Sequence, residues 1–321
     1  MKKIIKIILF GMLTLLCLAS INAYAQQTAM YQNFKKLGIY FSSHYNQYWL
    51  AVYPLIDKYK PGNFDTDNIQ ITLETKAGKS IPIKRDDLTI VNLGDMYFKQ
   101  AAQYRLFRFN LVIDNSGSID DGNLKLMQDT LTKFIRRLPL SFEAQIIRFS
   151  TNVKKSGFTN DKNQLISWIN EPYEREMTAL YDAIGTGVDA LKYSDDDIPF
   201  KFSIILTDGE DTSSKRYTDA NLFKAKIVSD TADLNMPLLI VGVTDAVNEA
   251  LLKEISKFGF YQHAKSFPDI DEAFNFFEKI IKDIYIFKVP GVSSFSQLKK
   301  IYIGKKGQSG NVTTIQDFMV Q

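Results

Sequence analysis

Apolar residues in this chain follow two patterns, and the change between them divides it. Ile69, Ile71 and Leu73 alternate with polar residues up to the turn Ala77-Gly78-Lys79, and Ile81, Ile83, Leu88 and Ile90 resume the alternation after it. Period two around a glycine turn predicts a hairpin with one buried face. From about residue 105 to 287, short unbroken apolar runs alternate with stretches of helical spacing. Strands are predicted at 107–113, 142–149, 202–207, 237–243 and 260–264. Helices are predicted at 123–136, 162–169, 179–191, 219–234, 249–258 and from 269 to about 284. This order predicts an α/β fold, a doubly wound, mostly parallel sheet with helices on both faces. The last stretch, 289–321, returns to strand character and is too short to bury a core alone. It is expected to pack with the β-rich segment 26–104. Residues 105–288 would then be an α/β domain inserted into a small β-rich accessory domain made of the two flanks.

Residues 1–25 stand apart from both patterns. Lys2, Lys3 and Lys6 precede an apolar stretch from Ile7 to Leu18, and Ala23-Tyr24-Ala25 follows. The apolar stretch is shorter than the ~20 residues a membrane span needs. The three features together read as a secretory signal peptide of bacterial type. An exported protein is expected, periplasmic or secreted, beginning near Gln26 and with no membrane span after cleavage. Loss of the three lysines takes the formal charge of +3 to zero, so nothing in the charge calls for a nucleic acid partner. The single cysteine, Cys17, leaves with the same segment. The mature chain then has no disulfide, no thiolate metal site and no cysteine nucleophile. The full sequence is 45% apolar and 23% charged, which leaves a core to stabilise the fold instead.

Candidate chemistry sits where the apolar strands stop. Leu111-Val112-Ile113 runs into Asp114, Ser116 and Ser118, and the strand at 202–207 runs into Asp208-Gly209. Thr178 lies immediately before a predicted helix. In a doubly wound sheet ligands bind outside the carboxyl ends of the strands. Three loops therefore bring Asp114, Ser116, Ser118, Thr178 and Asp208 to one rim. Neutral hydroxyls mixed with two carboxylates suit a hard divalent cation, Mg²⁺ first, with Mn²⁺ and Ca²⁺ as alternatives. The two histidines show no zinc-like spacing.

Asp114-Asn115-Ser116-Gly117-Ser118 resembles the Asp-x-Ser-x-Ser signature of the von Willebrand factor A (vWA) domain. Thr178 with "ALYDAI" is similar to that family's second motif, and "TDGED" at 207–211 to its third. The resemblance covers about 105–287, with the three motifs in the family's order. It implies a Rossmann-like fold carrying a metal-ion-dependent adhesion site (MIDAS). Ser116, Ser118 and Thr178 would then supply hydroxyls, and Asp114 and Asp208 charge, often through water. The implied function is cell adhesion or assembly, in which a protein partner supplies an acidic residue to the metal and no bond is made or broken. In one place the chain departs from the family. Glu176 and Met177 precede Thr178 where glycine is usual, which bears on the loop's conformation and on access to the cation.

Other readings have their own residues. A metal-dependent phosphohydrolase would use Asp114 as nucleophile, as haloacid dehalogenase-like phosphatases do. Those place a second aspartate two residues on as acid/base, and here that position is Ser116, so an enzyme is not expected. A vWA scaffold subunit whose metal is only structural is a further alternative. Asp120 and Asp121 are expected to favour the macrodipole of the following helix rather than to bind a second metal. Gly185-Thr186-Gly187 falls inside a predicted helix and reads as close packing, not a dinucleotide loop. Asp195-Asp196-Asp197 reads as a solvated loop.

Overall fold

The computed structural model describes residues 33–42, 47–55, 66–94, 107–138, 142–194, 198, 200–234, 236–290, 297–306 and 312–319. The expected signal peptide and the acidic run 195–197 lie outside these residues.

The α/β unit is built on a six-stranded sheet. In chain order its strands are β6 (Phe107–Asp114), β7 (Phe142–Phe149), β8 (Val153–Lys155), β9 (Phe200–Thr207), β10 (Leu238–Val243) and β11 (Phe260–Ala264). They lie side by side as β11-β10-β9-β6-β7-β8, all parallel except the edge strand β8. Six helices connect and cover it: α1 (Asp121–Arg137), α2 (Lys162–Asn170), α3 (Leu180–Lys192), α4 (Ala220–Asp233), α5 (Glu249–Ile255) and α6 (Ile270–Lys282). The expected fold class holds, with boundaries differing by a few residues. Strand β8 was not anticipated, because three residues are too few to show a period.

The sheet's two faces follow from side-chain alternation. Phe109, Leu111 and Ile113 of β6 face one way, with Phe134 of α1, Leu165 of α2 and Phe274 of α6. Val112 faces the other way, with Ile184 of α3, Phe223 of α4 and Leu252 of α5. Phe109 stacks on Phe202 of β9 with ring centroids 5.1 Å apart, and Phe134 meets it edge-on at 6.3 Å. Buried strands on both faces read as unbroken apolar runs, which is why the sequence shows them so plainly. On the α3 side a polar residue breaks the run. Asn110 donates to the carbonyl of Gly187 at 2.7 Å, and Gly185 packs beneath Tyr217. The two glycines of 185–187 thus serve close packing, as their helical position suggests.

The flanks build two four-stranded antiparallel sheets. One is β1 (Asn33–Ser42), β2 (Gln47–Leu55), β12 (Tyr285–Pro290) and β5 (Thr89–Asn92), in the order β1-β2-β12-β5. The other is β14 (Val312–Met319), β13 (Leu298–Lys306), β3 (Ile69–Thr75) and β4 (Ser80–Ile83), in the order β14-β13-β3-β4. The predicted hairpin is β3–β4, with Leu73 opposite Ile81 and Gly78 at φ 78°, a left-handed turn that favours glycine. Leu88 and Ile90 do not continue that hairpin. A 3₁₀ turn at Arg85–Asp87 redirects the chain, and β5 joins the other sheet.

Strand β2 ties the whole together. Tyr48, Leu50 and Val52 face the core between the two β sheets, with Ile71, Leu73, Phe287 and Ile301. Trp49, Ala51 and Tyr53 on its other face join the core of the α/β unit, where Tyr53 meets Phe260 edge-on at 5.5 Å. A strand apolar on both faces is the consequence.

Candidate functional site

The rim lies at the carboxyl ends of β6, β7 and β9. Asp114, the last residue of β6, is fully buried. Its Oδ1 accepts the N–H of Ser116 at 2.9 Å and its Oδ2 accepts the hydroxyl of Thr207 at 2.7 Å. One carboxylate therefore shapes the Asp-x-Ser-x-Ser turn and fixes it to the end of β9. The hydroxyl oxygens of Ser116 and Ser118 lie 2.9 Å apart, and Ser118 donates to Asp208 Oδ1 at 3.0 Å. Asp208 itself is nearly buried.

Thr178 reaches the same place from a different loop. Its hydroxyl oxygen lies 4.0 Å from where a Cβ on Gly209 would stand. Its N–H donates to Thr212 Oγ1 at 2.9 Å, and its carbonyl accepts from the N–H groups of Thr212 and Ser213. The loop after β9 in turn caps α3, whose own N-cap, Ala179, has no side-chain acceptor. Asp211 accepts from the N–H of Tyr181, and Ser214 from that of Asp182. The Asp182 carboxylate in turn accepts from the N–H groups of Lys215, Arg216 and Tyr217. These exchanges satisfy helix-end donors that would otherwise have no partner, and they clamp the second and third motifs together.

Glycine is not required before Thr178. The one non-glycine residue at positive φ among the described residues is Thr244, so Glu176 and Met177 adopt ordinary backbone angles. Ser150 holds them, accepting from the N–H of Glu176 at 2.7 Å and donating to the carbonyl of Met177 at 3.1 Å. The Glu176 carboxylate accepts from Thr151. The tight approach is one loop away instead. The N–H of Gly117 donates to the carbonyl of Glu176 at 2.8 Å, and a Cβ on Gly117 would stand 3.1 Å from that oxygen. Asp120 caps α1 by accepting from the N–H of Asn123, and Asp121 pairs with Arg175.

Asp114, Ser116, Ser118 and Asp208 are therefore joined by hydrogen bonds on one rim, and the Thr178 hydroxyl stands beside Gly209 next to them. Burial pushes the Asp114 carboxyl above the usual carboxylate range. Burial, and then the neighbouring charge of Asp114, push Asp208 up to about 6. The hydroxyl and N–H donors around the pair pull the other way without offsetting this, and among the described residues no Lys, Arg or His pairs with either carboxylate. Two adjacent buried carboxylates with no cation of their own fit a bound cation. Among the described residues no group of three or more His, Cys, Asp or Glu could hold a metal. Neutral oxygens, the neighbouring hydroxyls among them, would complete a donor set, and such donors suit a hard ion.

Sequence reasoning did not identify Arg148, Ser150, Asp182, Thr207 or Thr212. Arg148 carried a signal, a charged residue inside the apolar run of 142–149. So did the excess of capping residues in 211–214, since α4 is already capped by Asp219.

Two acids and three hydroxyls thus stand on the carboxyl-end rim of a doubly wound α/β module. The chain belongs to the von Willebrand factor type A domain family, whose sequence profile matches residues 110–280, more than half of its length. No curated protein matches the chain. Among solved structures it is similar to a von Willebrand factor type A protein from Catenulispora acidiphila, at 11% identity and TM-score 0.48, over 91% of this chain and 74% of that one. It is also similar to proximal thread matrix protein 1 from the mussel byssus, solved with a zinc occupied MIDAS motif, at 16% identity and TM-score 0.45. That match covers 63% of this chain and only 50% of the mussel protein. A third is the vWF domain of the type V pili tip protein Mfa5 from Porphyromonas gingivalis, at 12% identity and TM-score 0.45, over 55% of this chain and 95% of that one.

Proposed function

We propose that this chain is an exported binding protein that holds a protein partner through a divalent cation, without catalysing a reaction. Asp114, Ser116, Ser118, Thr178 and Asp208 would hold the cation, with Mg²⁺ as the expected ion. The observation that carries this reading is the uncompensated pair of buried carboxylates, Asp114 and Asp208, ringed by hydroxyls. When bound, the cation would supply an electrophilic point for an acidic side chain of the partner. The chain's own residues orient the donors. Met177, just before Thr178, is 51% exposed and offers an apolar contact at the rim. Export rests on the signal-peptide character of residues 1–25. No helix among the described residues is long and apolar enough to cross a membrane.

The test is a pull-down from the exported fraction of the source cells with the purified protein as bait, in Mg²⁺ and in EDTA. The reading expects a partner retained in Mg²⁺ and released by EDTA, and lost with Asp208→Ala. A partner retained equally in EDTA would place recognition on another surface. Phosphomonoester turnover abolished by Asp114→Ala would make the protein an enzyme instead.

A further inference from the structure

Arg148 is the one charged residue of β7 on the face that packs against α1, α2 and α6, and it is 2% exposed. Its neighbours on that face, Ala144 and Ile146, are apolar and belong to the core. Its three hydrogen-bond acceptors are all formally neutral groups. Nε donates to Asn115 Oδ1 at 3.0 Å, and Nη1 donates to the carbonyls of Trp168, at 3.0 Å, and Glu171. The guanidinium lies over the Tyr173 ring, 4.8 Å from its centroid, and the Tyr173 hydroxyl donates to the carbonyl of Arg148 itself.

These partners belong to the two loops that meet at the candidate site. Asn115 sits between Asp114 and Ser116, and its N–H is already fixed by the carbonyl of Phe149. Trp168 and Glu171 are the end of α2, from which the chain runs through Tyr173 to Thr178. An apolar side chain of similar size would fill the space. It would leave the helix-end carbonyls and the Asn115 amide without this donor. Lysine would bring a charge but not the planar fork that reaches acceptors on two segments at once.

We infer that Arg148 is a positioning residue, which sets the first-motif loop, and so Ser116 and Ser118, against the loop that carries Thr178. The inference rests on the cation-binding reading above and adds a residue to it that touches no cation. Donor groups have to be held within about 0.5 Å of their working geometry to bind well. A slip at Asn115 passes directly to both of its neighbours.

The experiment uses the mature full-length chain and two measurements, Mg²⁺ affinity by calorimetry at pH 7.5 and thermal unfolding in EDTA. The variants are Arg148→Lys, Asn115→Ala and, as control, Arg108→Met. Arg108 is a second buried arginine of the same sheet, paired with Glu143 near the opposite strand ends. Arg148→Lys and Asn115→Ala should each weaken Mg²⁺ binding by about tenfold, the low end of the loss seen when groups supporting a metal site are removed. Arg108→Met should lower the melting temperature at least as much yet keep the affinity within about twofold, because it touches neither loop. Parent-like affinity in a folded Arg148→Lys or Asn115→Ala variant would overturn the inference. If Arg148→Lys does not fold, Asn115→Ala alone decides. A parent chain that binds no Mg²⁺ would instead sink the cation reading itself, and this inference with it.

Discussion

Protons and a cation should compete for the pair Asp114–Asp208, and the competition has a size. Asp208 is raised from 3.8 to about 6, first by burial and then by the charge of Asp114. A cation binds the ionised form. Between pH 7.5 and pH 5.0 the ionised fraction of a carboxyl titrating near 6 falls from about 0.97 to about 0.09, so Mg²⁺ affinity should fall roughly tenfold. An ordinary aspartate, with a pKa of about 3.9, would lose under a tenth of its affinity over the same interval. Asp114 is raised as well, by burial, and can only steepen the dependence. The metal-free fold should show the opposite trend. The folded state keeps a proton on Asp208 that the unfolded chain has released, so this contribution to stability is complete below about pH 4 and lost above about pH 6, amounting to about 3 kcal/mol. Added Mg²⁺ should therefore raise the melting temperature more at pH 7.5 than at pH 5.0. The assay is calorimetric titration with MgCl₂ at both pH values, repeated near pH 6 in buffers of different ionisation enthalpy to count released protons. An affinity equal at the two pH values, with no proton released near pH 6, would refute the argument that burial and mutual repulsion tune this pair.

Phe109→Ala should destabilise the fold by about 3–5 kcal/mol, because it opens a cavity among Phe134, Phe142 and Phe202; denaturant unfolding followed by fluorescence would measure it. Deleting residues 291–321 removes β13, the partner of β3, so the β3–β4 hairpin around Gly78 should become a site of limited proteolysis; unchanged protection would show that the two flanks do not share a core. N-terminal sequencing of the exported protein should begin near Gln26, and a chain retaining Met1 in the membrane fraction would contradict the signal-peptide reading. Thr178→Ala should leave Mg²⁺ binding largely intact, since both carboxylates remain, while excess Mg²⁺ should not restore partner capture; full capture would remove Thr178 from the site.

Legibility in the sequence depended on how local the causes were. The carboxyl halves of β6 and β9, Leu111–Ile113 and Ile204–Leu206, are buried on both faces, so they appear as apolar runs, and an acid or hydroxyl at their ends stands out. That is why apolar runs and strand-end chemistry alone place Asp114 and Asp208 on one rim. The β-rich flanks were less readable because their pairings join distant segments. β12 follows α6 in the chain but lies between β2 and β5, and nothing local marks it as an inner strand of that sheet. The continuation of the hairpin through Leu88 and Ile90 failed for a related reason. Leu88 and Ile90 resume period two, but in the opposite phase to Ile81 and Ile83, and the 3₁₀ turn at Arg85–Asp87 between them sends the chain to a different sheet.

The residues that hold the site together were the least visible, because they act by hydrogen bonding to main chain far away in sequence. Asp182 looks like any acid in the first turn of a helix, where the macrodipole alone would favour it. Its carboxylate in fact binds three consecutive N–H groups of the loop that follows Asp208. Ser150 looks like a strand end, yet its hydroxyl fixes the two residues that replace glycine before Thr178. Capping chemistry of this kind is short-ranged in space and carries no period. It also accounts for the departure from the family's second motif. A loop held at Ser150, at Gly117 and at Thr212 has its path set by its neighbours, so side chains as large as Glu176 and Met177 fit at ordinary backbone angles. Close packing falls at Gly117 instead, where a Cβ would stand 3.1 Å from the Glu176 carbonyl oxygen.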